Sequence, residues 1–125
     1  MAWSAKDQAI ELISPMIDAR RMEVFTALYN KKMEEIEPPR ACIVDKYLYS
    51  ELLEKHSIIF IGNGSGKFKA LVESPNASFL QIDTNSCHLA DISRQYFEKG
   101  AFANLAYSEP FYLKEFYTPL KKPIT

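Results

Sequence analysis

The stretch from Ile13 to Asn30, ISPMIDARRMEVFTALYN, limits the fold more than any other part of the chain. It reads as two apolar strands joined by a charged corner. Ile13, Met16 and Ile17 belong to the first strand. Asp18, Ala19, Arg20 and Arg21 make the turn, and Val24, Phe25, Thr26, Ala27, Leu28 and Tyr29 form the second strand. That second run is β-branched and aromatic with hydrophobic groups at odd and even positions, so both of its faces must be covered. A strand covered on both faces lies inside a sheet with helices packed over it. The hairpin is therefore expected at the centre of the domain.

The flanking segments build outward from it. Residues 1–12 read as a helix, with Trp3, Ile10 and Leu12 apolar and Ser4 a candidate N-cap. The charged run from Lys31 to Arg40 ends in Pro38-Pro39, which marks a loop or edge segment. Ala41–Val44 reads as a short third strand, and Asp45 as the cap of a helix striped with Leu48, Leu52 and Leu53. Ser57–Ile61 is short and almost wholly apolar, as a buried parallel strand would be. It runs into Gly62-Asn63-Gly64-Ser65-Gly66-Lys67, followed by a short helix over Phe68–Val72. Phe79, Leu80 and Ile82 form a fifth strand. A last helix runs from about Ser86 to Lys99, with Gly100 just past its end. The order is β-β-β-α-β-α-β-α, which predicts an α/β domain with a mixed five-stranded sheet covered by helices.

Composition excludes several functions. At 125 residues the chain forms one domain, and 47% apolar residues rule out a disordered one. No apolar run approaches the roughly 18 residues that span a bilayer, and the N-terminus lacks a leader pattern. Two cysteines, Cys42 and Cys87, are too few for a disulfide framework, so a reduced, cytoplasmic compartment is expected. The net charge of −1 with interspersed signs offers no basic stripe for direct nucleic-acid binding.

Candidate chemistry centres on two places. Glycines before a helix can cradle a phosphate on backbone amides. Yet only three residues separate Gly62 from Gly66-Lys67, and Phe68 stands where a P-loop carries a hydroxyl. An ordinary strand-to-helix turn is the reading the spacing favours. Asp18 beside Arg20 and Arg21 could bind a phosphate or a partner's carboxylate, or simply form a solvated corner. Neither His56 nor His88 has a second ligand at zinc spacing, and Cys87-His88 are sequence neighbours that seldom face each other. No catalytic or metal-binding residue and no cofactor is expected. The aromatic tail, residues 105–125, is expected to pack on the domain, with Tyr112 and Phe116 as candidates for partner binding.

ISPMIDARRMEVFTALYN, IIFIGNGSGKFKALVESPNA and LAYSEPFYLKEF together resemble the second half of the TsaB family, also called YeaZ, over essentially the whole chain. DARRMEVFTA and EPFYLKEF are the most specific segments. Members of that family are glycoprotease-like, non-catalytic partners of the synthase that adds threonylcarbamoyl to an adenosine beside the anticodon of tRNA. The resemblance implies an actin-like ATPase fold (ribonuclease H-like), shared with the Hsp70 ATPase, in which residues 13–104 are the C-terminal domain and 1–12 an interdomain helix remnant. In active relatives the first hairpin turn faces a nucleotide phosphate and the loop after the fourth strand approaches the adenosine. Asp18, Arg20, Arg21, Gly62, Asn63, Gly64, Gly66 and Lys67 occupy those places here, and the bulk of the two arginines implies a site that has lost its nucleotide. The implied partners, for a full-length protein, are a TsaD-like catalytic subunit, a TsaE-like ATPase and a second copy. The resemblance also implies an exposed apolar surface where the other domain sits. Two alternatives stay open: a nucleotide-binding or glycoprotease-like enzyme domain using Gly62–Lys67, and a free-standing interaction domain using the tail.

Overall fold

The computed structural model describes residues 1–8, 11–82 and 84–114. Five strands form one mixed sheet: β1 (Leu12–Asp18), β2 (Glu23–Asn30), β3 (Glu35–Ile43), β4 (Ile58–Ile61) and β5 (Ala77–Leu80). Their spatial order is β3-β2-β1-β4-β5. β1 pairs antiparallel with β2 and parallel with β4, so the first hairpin strand is the central one. β3 extends the antiparallel half and β5 the parallel half. The described helices are α1 (Ser50–Leu53), α2 (Ser65–Lys69) and α3 (Ser86–Glu98), with a single 3-10 turn at Ala2–Ala5. Among the described residues no helix is long and apolar enough to cross a membrane.

The period-2 alternation of strands sorts the apolar residues into two layers. Met16, Val24, Leu28, Ile58 and Phe60 point to one face, where Leu53 of α1, Phe68 of α2, Val44 and Tyr49 cover them. Phe60 sits at the middle of this layer. Its ring meets that of Phe68 edge-on at 4.8 Å and stacks on Phe79 at 5.3 Å. Ile13, Ile59 and Ile61 point to the opposite face, where Ala5 closes over them. Burial on both sides is what the run of apolar residues in the hairpin and in β4 demands.

Polar groups inside the sheet are matched. The β1–β2 register skips Ser14 and Pro15, where Pro15 has no N–H to donate. Beside that gap the buried hydroxyls of Ser14 and Thr26 meet at 2.9 Å, so neither is left unpaired.

Several boundaries differ from the sequence reading. β3 begins at Glu35 rather than at Ala41 and carries Pro38-Pro39 within it. An edge position tolerates prolines, and the β2–β3 register shifts between Thr26 and Leu28, opposite them. Asp45 caps a turn instead of a helix. Its carboxylate accepts the N–H groups of Tyr47 and Leu48, both at 2.9 Å, and α1 starts only after Tyr49 in a left-handed conformation. The described residues among 1–12, namely 1–8, 11 and 12, do not form the expected helix. The Ser4 hydroxyl donates to the Met1 carbonyl at 2.6 Å, closing a 3-10 turn, and Leu12 is already in β1. Glu11 pins that strand entry by accepting the Ser57 N–H at 2.6 Å. This bond, with Ser57 Oγ and His56 nearby, holds the Glu11 carboxyl below its ordinary pKa.

The second face is the less covered. α3 lies across it without one buried residue, and Leu89, Tyr96 and Phe97 remain more than half exposed. Between α3, the 3-10 turn and the sheet runs an apolar groove of about 600 Å³, floored by Pro15, Ile17, Phe25 and Tyr29. Nor does the described part of the tail pack as expected: Leu105, Tyr107, Phe111 and Tyr112 are exposed, and only Leu113 reaches the groove. The tail has aromatics without the periodicity that would give it a single face to bury.

Phe60→Ala should therefore lower the unfolding free energy by about 3–5 kcal/mol in urea titrations. Ile43→Ser, at a site 72% exposed on β3, should stay within about 0.5 kcal/mol of the parent.

Candidate functional site

The corner between β1 and β2 and the loop between β4 and α2 meet at the same end of the sheet, because β1 and β4 are parallel neighbours. Residues 49 positions apart are thereby brought into contact. The Lys67 ammonium donates to Asp18 Oδ1 at 2.8 Å and to the Glu23 carbonyl at 3.1 Å. Asn63 accepts the Asp18 N–H at 3.0 Å, and Gly64 N–H donates to the Met16 carbonyl at 2.9 Å. The resemblance placed Asp18 at the hairpin corner and Asn63, Gly64 and Lys67 in the loop facing the same site, and the structure brings these four together.

The corner itself is strained. Arg20 and Arg21 both have positive φ, 70° and 49°, a region that suits glycine or asparagine. Local bonds hold it there: Ala19 N–H donates to the Glu23 carbonyl at 3.1 Å, and Asp18 Oδ1 accepts the Arg20 N–H at 2.6 Å. The two arginine side chains point to solvent, and among the described residues no carboxylate lies within ion-pair distance of either. They form no clamp around Asp18. Its cationic partner is Lys67.

Two glycines in the loop are fixed by contact. Gly62 has φ +97°, and a Cβ there would stand 2.6 Å from the Met16 carbonyl oxygen. At Gly64 a Cβ would meet the Asp18 nitrogen and the Ile17 carbonyl carbon at 3.0 Å, so the loop can approach the hairpin only without a side chain. Gly66 has open space around it and lies inside α2.

Three of the backbone donors that would make this loop an anion cradle are already engaged. Gly64 N–H bonds to Met16, Ser65 N–H to the Gly62 carbonyl at 3.1 Å, and Lys67 N–H to the Gly64 carbonyl at 3.3 Å. The Asp18 carboxylate occupies the position in front of Lys67 that a ligand's anionic group would need. Lys67 and the Arg20 N–H hold that carboxyl below its ordinary pKa. Among the described residues no group of three His, Cys, Asp or Glu is placed to hold a metal. Cys87 is exposed at the start of α3, and His88 gives its backbone N–H to the Asn85 cap. Tyr112 is 72% exposed, and Phe116 lies outside the described residues.

A mixed β-β-β-α-β-α-β-α sheet with its hairpin corner and post-β4 loop converging at one end defines an α/β domain of the ribonuclease H-like, actin-like class. The crystal structure of an uncharacterized protein with similarity to peptidase YEAZ from Pseudomonas aeruginosa superposes with a TM-score of 0.71 over 90% of this chain, at 19% identity. At that identity the likeness is one of fold. The chain spans 54% of that protein's length. No protein-family model and no curated protein matches the sequence.

Two checks follow from this geometry. Gly64→Ala forces a methyl against backbone and should cost about 1–3 kcal/mol, whereas Gly66→Ala should stabilise the protein by about 0.5–1 kcal/mol through helix propensity. Asp18 has a depressed pKa in the folded state, so its contribution is present above the ordinary value of 3.8 and disappears as pH falls through the folded one. Asp18→Asn should melt below the parent at neutral pH, and the gap in melting temperature should close in acid.

Proposed function

We propose that this chain is the C-terminal-half domain of a TsaB-like scaffold subunit, without catalytic residues of its own. It would support a TsaD-like catalytic subunit and a TsaE-like ATPase in adding threonylcarbamoyl to tRNA adenosine. The observation that carries the non-catalytic part is the engagement of Lys67 by Asp18 and Glu23. An active domain of this fold needs an open approach for phosphate between hairpin and loop. Here the chain's own carboxylate stands in that approach, and three loop amides are bonded to its own carbonyls. The scaffold part is supported by the YEAZ-like fold and by the apolar side chains left exposed on α3 and beyond it, from Leu89 to Tyr112. Patches of that kind mark contact surfaces.

In cells from which the gene for this chain has been removed, nucleoside analysis of bulk tRNA should show loss of threonylcarbamoyladenosine. An unchanged level would rule the proposal out. Calorimetric titration with Mg-ATP should give no saturable heat. A heat that vanishes on Lys67→Ala would turn the assignment toward a nucleotide-handling enzyme.

A further inference from the structure

The chain leaves the groove on the second face of the sheet at Ala101 and returns to it at Leu113. Between those points it forms an exposed excursion. Its local bracing is a Phe102 N–H bond to the Gly100 carbonyl at 3.1 Å, an edge-on contact of the Phe102 ring with Phe97 at 5.6 Å, and a turn at Asn104, which accepts the Tyr107 N–H at 3.1 Å, the Ala106 N–H at 3.0 Å and the Ser108 hydroxyl. Gly100, with φ +64°, sets the direction in which it departs from α3. At the return point two adjacent residues make contacts of different kinds. Leu113 is half-buried in the groove, and the Lys114 ammonium is ion-paired with the Glu23 carboxylate at the start of β2.

We infer that residues 101–114 form a strap that partly closes the apolar groove, with Leu113 as its plug at one wall and the Lys114–Glu23 pair as its clip. The inference does not depend on the proposed function: it uses the Glu23 side chain, whereas the corner uses the Glu23 carbonyl, although the strap carries the exposed Phe102, Tyr107 and Tyr112. Glu23 and Phe25 share a strand face, so the clip lies at the end of the groove that Phe25 floors. The plug gains from burying apolar surface. The clip is half-exposed, with 51% of the Lys114 side chain and 24% of the Glu23 side chain accessible, so it holds weakly and is sensitive to salt. A weak clip on an apolar plug makes a closure that opens without unfolding the sheet. Opening widens a groove that already holds about 600 Å³ of free space with the strap in place, within the size range of small-molecule sites, roughly 300–1,000 Å³.

The chain's single tryptophan is a built-in reporter, because Trp3 lines the groove with Lys6 at 3.8 Å from its ring centroid. Acrylamide quenching of Trp3 fluorescence should rise to its highest in Leu113→Asp, which expels the plug. In Lys114→Glu it should rise part of the way, since loss of an exposed ion pair shifts the closed-to-open ratio by roughly two- to five-fold. The reversed pair Glu23→Lys/Lys114→Glu should return it to the parent level, and added salt should raise quenching in the parent but not in Lys114→Glu. Unchanged quenching in Leu113→Asp, or in Lys114→Glu, overturns the strap, and so does a reversed pair that fails to restore it. Should Leu113→Asp not fold, the charge variants at these accessible positions decide the matter alone.

Discussion

Everything in this domain depends on β1 being satisfied in four directions. It pairs with β2 on one edge and β4 on the other, and it buries Met16 on one face and Ile13 on the opposite one. A strand so placed has no solvent to fall back on, so every backbone and side-chain polar group on it needs a partner within the protein. The Ser14–Thr26 hydroxyl pair beside Pro15 meets that need where the ladder to β2 is interrupted. Because β4 must run parallel to β1, the chain cannot return by a tight turn. It has to cross over through β2, β3 and α1 before re-entering the sheet. The same constraint delivers the loop after β4 to the end of the sheet where the hairpin corner stands.

That convergence explains the chemistry of the corner. A lysine at position 67 and a carboxylate at position 18 are brought together by topology, with Gly64 permitting the close approach. Once they meet, each is the other's charge partner. The strained conformation of Arg20 and Arg21 belongs to the same assembly, since Asp18 Oδ1 accepts both the Arg20 N–H and a Lys67 hydrogen. One carboxylate thus shapes the turn and neutralises the loop.

The sheet was legible in the sequence because burial on two faces leaves a continuous apolar run, and both the hairpin and Ile58–Ile61 carry one. The central hairpin and the parallel β4 followed from that signal, and the last helix from Leu89, Ile92, Tyr96 and Phe97 at helical spacing. Features that depend on what lies opposite were not legible. Whether Pro38-Pro39 ends a strand or sits on an edge is decided by β3 having no neighbour on its far side among the described residues. The helix expected over residues 1–12 does not reach Glu11 and Leu12, because Leu12 has a place in the sheet and Glu11 a partner in Ser57. The charge corner was visible as Asp18, Arg20 and Arg21, and the wrong cation stood beside it. Adjacency in sequence pointed to the arginines, but parallel pairing supplied Lys67. An Asp at a hairpin corner and a Lys just past the next parallel strand would be the pattern to look for.

The two faces of the sheet differ in how they are covered, and that difference bears on function. On the first face α1, α2 and the aromatic group around Phe60 leave a dry layer that holds the strands in register. On the second, a 3-10 turn and a helix with no buried residue leave a groove, and the large apolar side chains of α3 and the segment after it face outward. A domain whose stability rests on one layer can vary contacts on the other at little cost to the fold. The rigid face positions the closed corner, and the adaptable face carries the apolar side chains that a partner could cover. The proposed scaffold role would use that division between a packed core and an exposed apolar surface.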